Sequence, residues 1–465
     1  MSQAKRHIAA KIWSVGFILL LLGMGLRGLW LAKVDGNNLF HKFRLDRLTI
    51  TTKAFDDELS QYAGGDTALF YPLGTLNYEV RHRALSRKIL IGQGDWFFLW
   101  SDQMDIDPLE QRLGLSQLSR LQMQELVLQY QQRAFWSAQR NSQYLLVLAP
   151  NKASIYGEYL PSRLSLSEAT FLDSLSTALQ NAAIPVLDLR PPLNAAKSKG
   201  LLYYRHDTHW NHLGSWVGTQ AVLQKLEMPP LPHDIDQFDS RLQIGGDQLR
   251  MARLSQGDYF DVDYKHKADP IDYQTSAAPL GVANDLPYYS QNDSGPKLLL
   301  LHDSFGHYMR DWMSYSSQEL LALWAWGEFR PEIANAFKPE IIVDEVIERN
   351  LAKVFPGNPA ALINEYWDTH WEDRGALSQK GRFSLGQLQA FIQSQSSEEQ
   401  LTILKLTLQA TEAGSLSTAN GLRVKANYAF GEGETTIYLQ INPRRPFKIE
   451  LEGKVAFTDL EMMND

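Results

Sequence analysis

The sequence predicts an α/β fold in which helices flank a parallel sheet, and three observations support this class. Four short apolar runs, at residues 144–149, 184–189, 297–301 and 341–346, have the length and continuity of buried strands. Two segments with helical spacing of their apolar residues, 116–140 and 167–183, alternate with the first two runs, as in a sheet covered on both faces. The content of 44% hydrophobic and 21% charged residues is that of a globular chain with a sizeable core.

The N-terminal segment predicts a membrane anchor. Residues 12–32 are apolar apart from Arg27, and they have about the ~20-residue length that a spanning helix needs. Lys5, Arg6 and Lys11 precede this run, so the positive-inside rule leaves the N-terminus in the cytoplasm. No small-residue cleavage site follows it, which favours a retained anchor over a removed signal peptide. We therefore expect a single-pass protein of the bacterial inner membrane whose chain after residue 33 faces the periplasm.

The 465 residues suggest several units, which we place from changes of pattern along the chain. The tail has alternating strand-like runs at 402–409, 436–440 and 447–451, typical of a small β-rich unit. That unit is either an independent binding module or a sheet packed on the main domain, and the second is favoured. The predicted organisation is a cytoplasmic tip and anchor at 1–33, a connecting region at 34–89, the α/β domain at 90–355, a helical or polar connector at 356–400 and the β-rich unit at 401–465.

Composition excludes several kinds of function. The chain has no cysteine, which excludes thiol catalysis, cysteine-ligated zinc and disulfides. Its formal charge of −8 lacks the basic footprint of a nucleic-acid partner.

The segment KLLLLHDSFGHY, residues 297–308, carries a candidate nucleophile. An apolar strand runs into Ser304 and then into a helix-like segment at 308–312. A serine on such a turn is held clear of the sheet, close to helix amides that stabilise an oxyanion. Alternatively, Asp303 or Ser304 simply caps the helix.

The segment YYRHDTHWNHLG, residues 203–214, supplies a candidate base. A serine needs one, because its hydroxyl is a weak nucleophile at neutral pH. Asp207 and His209 lie two residues apart, so on an extended segment their side chains point the same way. A carboxylate beside an imidazole selects its tautomer and stabilises the imidazolium. Asp207, His209 and Ser304 thus form a candidate catalytic triad.

Two other interpretations of this segment stay open. His206, Asp207, His209 and His212 are ligand types that suit zinc, but no other histidine-rich region completes such a site, so we expect no metal. The segment is otherwise a polar loop with satisfied histidines. The tetrapeptide Asp-Thr-His-Trp also recurs at 368–371, beyond the last predicted strand, and we favour the copy at 207–210 because it lies inside the α/β region.

Five motifs in order resemble the AlgJ/AlgX-like family of periplasmic SGNH-hydrolase-like O-acetyltransferases, over roughly residues 90–355. Residues 207–210 match its Asp-x-His-Trp signature, and HDSF at 302–305 is similar to its nucleophile block. The others are GDWFFL at 94–99, PNKASIYGEYLP at 150–161 and KPEIIVDEVIERNL at 338–351. Position 302 is His where the block often has Gly, and position 208 is Thr where many relatives carry His. The tail after residue 400 lies outside the match.

The resemblance implies an SGNH-hydrolase-like sheet and a Ser304 acyl-enzyme, with His209 as base and Asp207 orienting it. It implies acetyl transfer, without a cofactor, to hydroxyls of a secreted polysaccharide, with a multi-pass membrane acyltransferase as donor partner. Arg330, downstream of Ser304, is a candidate for binding an anionic sugar or the oxyanion. Two alternatives remain: a carbohydrate acetylesterase, in which water replaces the glycan hydroxyl, and a non-catalytic glycan-binding scaffold of an export complex.

Overall fold

The computed structural model describes residues 67–101, 107–232, 234–267, 275–277, 287–289, 293–351, 359–371, 377–396, 400–420 and 424–464. The predicted membrane anchor lies outside these residues. Within them, no helix is both long enough and apolar enough to cross a bilayer. The chain divides into two compact units, Met1–Ser86 with Arg250–Ser255, and Arg87–Leu249 with Gln256–Asp465.

The first unit contains one described helix, α1 (Thr67–Arg81), inside the region that the sequence assigned to a connecting segment. Its Gly74 lies so close to the backbone of residue 253 that a Cβ atom would sit 1.8 Å from the Arg253 carbonyl oxygen. Only glycine permits this approach.

The remaining elements alternate helices with strands and end in a series of strands. The helices are α2 (Pro108–Arg112), α3 (Arg120–Ala138), α4 (Lys152–Ile155), α5 (Phe171–Asn181), α6 (Arg190–Ala196), α7 (His212–Lys225), α8 (Asp247–Ala252), α9 (Gly306–Met313), α10 (Pro331–Phe337), α11 (Ala360–His370) and α12 (Leu385–Gln395). The strands are β1 (Ile89–Ile91), β2 (Phe97–Leu99), β3 (Gln143–Ala149), β4 (Val186–Asp188), β5 (Phe238–Ile244), β6 (Phe260–His266), β7 (Thr275–Ala277), β8 (Pro287–Tyr289), β9 (Lys297–His302), β10 (Glu319–Trp324), β11 (Ile341–Ile347), β12 (Leu377–Phe383), β13 (Thr402–Ala410), β14 (Gly414–Asn420), β15 (Val424–Phe430), β16 (Gly433–Ile441), β17 (Phe447–Glu452) and β18 (Val455–Asn464).

A seven-stranded sheet in the order β4-β3-β11-β9-β10-β8-β7 forms the centre of the second unit. The five strands from β4 to β10 run parallel, and β8 and β7 continue the sheet antiparallel. The α/β class with a parallel central sheet is therefore confirmed. All four predicted strands belong to this sheet, and β10 is a fifth parallel strand that the sequence analysis did not single out.

Both faces of the sheet are covered by helices, as the continuous apolar strands require. Along β3, Leu145 and Val147 pack into a core cluster that includes α7 and α9. The alternate residues Leu146 and Leu148 pack into a second cluster that includes α3, α5 and α10. Helix α3 begins at a capping box, in which Ser119 and Gln122 bond each other's backbone amides.

Strand β11, in the middle of the sheet, carries two adjacent buried carboxyl groups that point to opposite faces. Asp344 accepts hydrogen bonds from Arg133 Nη1 at 2.7 Å and from the Tyr144 hydroxyl at 2.6 Å. Glu345 faces the turn that follows β9. Acidic residues inside an apolar strand are tolerated only when they are paired or hydrogen-bonded, so both have specific structural tasks.

The C-terminal part is a two-layer β unit, which confirms the predicted β-rich tail. One sheet has the order β12-β18-β13-β16 and the other β15-β14-β17, with an apolar core between them. The opposite face of β13 and β16 packs on α3 and α11, where Ile403 and Tyr438 join Leu121 and Trp367. The unit is therefore packed on the α/β domain rather than tethered to it. The domain boundaries read from the sequence stay predictions.

Candidate active site

The candidate catalytic residues lie at the carboxyl edge of the central sheet, where ligand sites of parallel sheets are found. Strand β9 ends at His302 and leads directly into Ser304. The neighbouring strands β3 and β11 end at Ala149 and Ile347, so the residues that follow them lie at the same edge.

Asp207 and His209 form a hydrogen-bonded pair inside a turn rather than on an extended strand. The Asp207 Oδ1 atom lies 2.7 Å from His209 Nδ1 and also accepts the His209 backbone N–H at 3.0 Å. Its Oδ2 atom accepts the backbone N–H of Asp247 at 2.8 Å. The two side chains converge because the aspartate folds the backbone of its own segment, as Asp does in Asx turns.

The electrostatics of this pair suit a general base. Burial alone raises the pKa of Asp207, but the hydrogen bond and charge of His209 and the amides of Asp247 and His209 outweigh it, so the net pKa lies well below the usual range. The ionised carboxylate favours the tautomer in which His209 Nδ1 carries the proton. His209 Nε2 is buried and has no hydrogen-bond partner within the described residues. That nitrogen is the one left to accept a proton.

A buried lysine holds this loop in place. Lys152, just after β3, directs its ammonium towards the carbonyl oxygens of Tyr204, Arg205 and Asp207, at 3.0, 2.8 and 2.7 Å. It also donates to Gln248 Oε1 at 2.6 Å. Burial lowers the pKa of Lys152 to about 7, against the raising influence of nearby aspartates.

The other two histidines of the segment pair with aspartates of the β5–β6 hairpin. Asp261 accepts the backbone N–H of His206 at 2.9 Å, and its carboxylate lies 3.3 Å from His206 Nδ1. Asp263 lies 2.9 Å from His212 Nδ1 and also binds Arg241 at 2.6 Å. The four residues that the sequence offered as candidate zinc ligands are thus divided among three separate contacts.

A different set of metal-ligand types does converge. One ligand atom each from Asp207, His209 and Asp247 lie within 4.8 Å of one another. Both oxygens of Asp247 are already engaged, accepting from the Thr208 amide at 2.7 Å and the Thr208 hydroxyl at 2.6 Å. A cation here would compete with these hydrogen bonds and with the Asp207–His209 contact.

Buried carboxylates shape the turn that carries Ser304. Asp303 accepts the amides of Phe305 at 3.0 Å and Ile347 at 2.8 Å. Glu345 Oε2 accepts the amides of Asp303 at 3.1 Å and Gly306 at 3.0 Å. Burial and the neighbouring charge of Asp303 hold the pKa of Glu345 well above its usual range.

This arrangement changes the expectation for the oxyanion. The amides of Phe305 and Gly306, at the start of α9, already donate to the side chains of Asp303 and Glu345, so they are not available as oxyanion donors. Asn151, which follows β3, has a buried Nδ2 atom without a partner within the described residues. Arg349 donates to its Oδ1 atom at 3.1 Å, which orients the amide group.

The structure brings the turn that carries Ser304 next to His209. The ring of Phe305, the residue after Ser304, lies 5.0 Å from the His209 ring between centroids. Trp210 Nε1 donates to the Phe305 carbonyl at 3.1 Å, which ties the two segments together. Ser304 is half-buried, and no hydrogen bond joins it to His209 in the part of the chain that the structure describes. Contacts of this kind often tighten only when substrate is bound.

The second Asp-Thr-His-Trp copy has a different structure. Asp368 and His370 are exposed residues at the end of α11, where positions two apart point in different directions. His370 stacks on Tyr366, with 4.2 Å between ring centroids. The structure therefore joins the Asp and His side chains in the copy at 207–210.

Neither Arg330 nor a surface cleft near Arg190 takes part in these contacts. Arg330 forms ion pairs with Glu332 and, at 3.8 Å, with Glu328. A cleft of about 550 Å³ is lined by residues that include Ser154 and Arg190, but by neither Ser304 nor His209. Arg190 there bonds Asp188 and Asp173, at 2.6 and 2.7 Å, so its charge is already neutralised.

Several residues that build the site were not identified from the sequence. Glu345 had a visible signal, because it is a charge inside an apolar strand. Lys152, Asp247, Asp261 and Asp263 had none, since their partners lie far away in the chain. They act on the candidate triad only through the folded structure.

Parts of the chain are similar to known proteins. Residues 89–279 match the family described as SGNH hydrolase-like domain, acetyltransferase AlgX. The chain is 31% identical over 94 residues to the probable alginate O-acetylase AlgJ of Pseudomonas putida, covering 20% of this chain and 24% of that protein. It is 32% identical over 104 residues to its counterpart in Pseudomonas syringae pv. tomato, covering 21% and 26%. The chain thus spans about a quarter of the length of the curated relatives it matches.

Similar solved structures include the O-acetyltransferase domain of Pseudomonas putida AlgJ, with a TM-score of 0.37, 18% identity and coverage of 57% of this chain and 92% of that one. Bacillus cereus PatB1 gives 0.40 and 13%, covering 57% and 97%. Pseudomonas aeruginosa AlgX gives 0.36 and 12%, covering 81% and 94%. Over residues 89–279 the chain is thus similar to the SGNH hydrolase-like acetyltransferase domain of AlgX, and part of it is similar to AlgJ.

Proposed function

We propose that this protein transfers acetyl groups through an acyl-enzyme on Ser304 to hydroxyl groups of a secreted, alginate-like polysaccharide. The observation that supports it most directly is the Asp207–His209 pair. The His209 Nε2 atom has no hydrogen-bond partner within the described residues, and the His209 ring lies 5.0 Å from the ring of Phe305, the residue after Ser304. We infer the acetyl group and the polysaccharide acceptor from the family match and from the probable alginate O-acetylases that the chain resembles.

The mechanism has two half-reactions. His209 Nε2 takes the Ser304 proton while Oγ attacks the acetyl carbonyl, and the donor's leaving group departs with that proton. A glycan hydroxyl then gives its proton to His209 and attacks the ester, and Ser304 Oγ leaves and regains a proton. Asp207 stabilises the imidazolium in both steps. Asn151 Nδ2, oriented by Arg349, is the side-chain donor for the oxyanion.

The same proposal extends to location and partners. The apolar run at residues 12–32 supports an anchor in the inner membrane with the catalytic domain in the periplasm, where a membrane acyltransferase supplies acetyl. Because the natural chain has no cysteine, a single cysteine introduced at exposed Leu115 provides a clean test. A membrane-impermeant maleimide should label it in cells with a permeabilised outer membrane. Labelling only after the inner membrane is lysed would contradict this location.

The test of the reaction uses the purified full-length chain with p-nitrophenyl acetate as donor, with and without a short alginate oligosaccharide. We expect an acetyl adduct that peptide mapping places on Ser304, and oligosaccharide acetylation that consumes it. Ser304→Ala and His209→Ala should abolish both, whereas His370→Ala, in the second Asp-Thr-His-Trp copy, should not. EDTA should have no effect, because no step uses a metal.

The outcomes separate the alternatives. Acetyl release to water that the oligosaccharide does not divert would indicate an esterase. A folded chain that never acquires an adduct, yet is required for polysaccharide acetylation in cells, would indicate a scaffold.

A further inference from the structure

Two large aromatic side chains are exposed next to the nucleophile turn. Trp324 is 45% exposed and Trp326 is 41% exposed, whereas most large aromatic residues of the described chain are buried. Trp324 ends β10 and lies in register with His302, two residues before Ser304. A pair of exposed tryptophans is informative because removing such surface from water is favourable.

The two tryptophans begin a continuous row of rings that leads to the candidate base. The centroid distances are 5.7 Å from Trp326 to Trp324, 6.4 Å from Trp324 to His307, 5.9 Å from His307 to Tyr308 and 6.3 Å from Tyr308 to His209. We call Trp326, Trp324, His307 and Tyr308 the aromatic row. It joins exposed surface to the reacting centre without a break.

Hydrogen bonds to His302 and Arg133 fix the backbone of the loop that carries the tryptophans. The amides of Ala325 and Trp326 both donate to the His302 carbonyl, at 2.7 and 3.3 Å. The Gly327 carbonyl accepts from Arg133 Nη2 at 2.6 Å. Trp326 has a φ of 50°, in the left-handed region that bulky residues avoid. Strain of this kind persists where surrounding contacts enforce it, and it is concentrated at functional sites.

We propose that Trp324 and Trp326 form a carbohydrate subsite that holds the acceptor polysaccharide beside the sugar acetylated from Ser304. This inference rests on the proposed function and assigns a place for its acceptor. The C–H faces of a sugar ring pack on the electron-rich face of an aromatic ring, and the row continues to the base, so a polymer can lie along it. A small acetyl donor has no need of such an extended surface.

The experiment separates the two half-reactions in the purified full-length chain. Acylation is followed as the burst of p-nitrophenol from p-nitrophenyl acetate, and transfer as acetylation of a short alginate oligosaccharide by mass spectrometry. The variants are Trp324→Ala, Trp326→Ala and the ring-retaining Trp326→Phe. Leu115→Ala, which removes an exposed apolar side chain from another part of the surface, is the matched control.

We expect each alanine variant to raise the KM for the oligosaccharide about tenfold, the size of one lost aromatic contact. The burst should change by less than about twofold, a change worth under 0.5 kcal/mol. Trp326→Phe should recover most of the acceptor affinity, and Leu115→Ala should match the natural chain. Because a small ester replaces any donor protein, an effect seen with these reagents reflects binding of the oligosaccharide.

Three results would overturn the subsite. An unchanged KM for the oligosaccharide in both alanine variants would show that the tryptophans do not form a subsite, and it would leave the proposed function intact. Loss of the burst together with transfer shows that the tryptophans support the nucleophile turn instead. An acetylation defect confined to cells, absent with the small donor, makes the surface a docking site for a protein. Failure of the proposed function looks different, because Ser304→Ala would then leave acylation and transfer unchanged.

Discussion

His302 is a titratable side chain kept out of water immediately before the nucleophile turn. Its Nδ1 atom donates to the Asp303 carbonyl at 2.7 Å. Burial, assisted by the positive charges of Arg310 and His307, lowers the pKa of His302 to about 4. The folded protein therefore holds this imidazole neutral where an unfolded chain, with a pKa of about 6.5, has begun to protonate it.

This difference predicts acid-dependent stability. Between about pH 6.5 and 4 the unfolded state binds a proton that the folded state does not, so stability falls as the pH falls and levels off below about 4. Compared with His302→Gln, the natural chain should lose on the order of 3 kcal/mol of unfolding free energy from pH 7 to 4. Urea unfolding at several pH values measures this. Parallel pH profiles for the two proteins would contradict it.

Gly306 is the residue that lets β9, β11 and α9 meet. A Cβ atom there would lie 2.3 Å from the His302 Cβ and 2.8 Å from Glu345 Oε2. Gly306→Ala must therefore displace the turn that carries Ser304. We expect the rate of Ser304 acylation to fall by about 100-fold, the cost of a misplacement of about 1 Å at a reacting group. Gly386→Ala, whose Cβ would meet nothing closer than 4.0 Å, is the matched control and should acylate normally.

At the scale of elements, the loop between α6 and α7 depends on one lysine. Removing the Lys152 ammonium takes a donor away from the carbonyl oxygens of Tyr204, Arg205 and Asp207. We expect Lys152→Met to cost on the order of 3 kcal/mol of stability and to slow Ser304 acylation at least about tenfold. Lys199→Met, which removes an exposed lysine paired with Asp236, should change neither quantity. Acylation at the natural rate in Lys152→Met would show that the loop holds its own geometry.

The elements that the sequence predicted correctly are those with local signals. The run YLLVLA in β3 is buried on both faces, so its apolar continuity appears in the sequence. In β5, by contrast, FDSRLQI is mostly exposed, and its partner FDVDYKH in β6 carries charges that the fold buries. Their hairpin depends on pairing His206 and His212 with Asp261 and Asp263. No local pattern indicates such contacts.

The candidate site divides in the same way. Asp207 and His209 are two residues apart, so their contact was predictable from spacing, although a turn and not a strand produces it. The proximity of Ser304 rested on the resemblance to a family, since 95 residues separate Trp210 from Phe305, whose hydrogen bond joins the two segments. The aromatic row was not predictable, because exposure is a property of the folded chain.

At the scale of the whole molecule, the C-terminal β unit is joined to the α/β domain by polar contacts as well as apolar ones. Glu125, on α3, accepts from Arg445 at 2.7 Å and from Asn442 at 3.2 Å. Burial raises the pKa of Glu125 although the Arg445 charge opposes it. The carboxylate is therefore costly to leave unpaired.

This contact predicts coupling between the two parts. Arg445→Ala should destabilise the chain by roughly 1–3 kcal/mol, because it leaves the buried Glu125 carboxylate without its charged partner. Glu125→Gln combined with Arg445→Ala should recover part of that loss, which gives a double-mutant cycle. Lys448→Ala, which breaks an exposed pair with Glu450, serves as control and should change stability little. Additive single and double effects in urea unfolding would show that the contact does not couple the parts.

The order of strands in the central sheet has a consequence for biosynthesis. Strand β11 is the last of the parallel strands to be made, yet it lies between β3 and β9 and is the neighbour of both. Until residues 341–347 emerge, no strand joins β3 to β9. Glu345, which shapes the serine turn, arrives with the same strand. In a growing chain the central sheet can therefore close only when this strand is made, and the turn that carries Ser304 gains its Glu345 contacts at the same step.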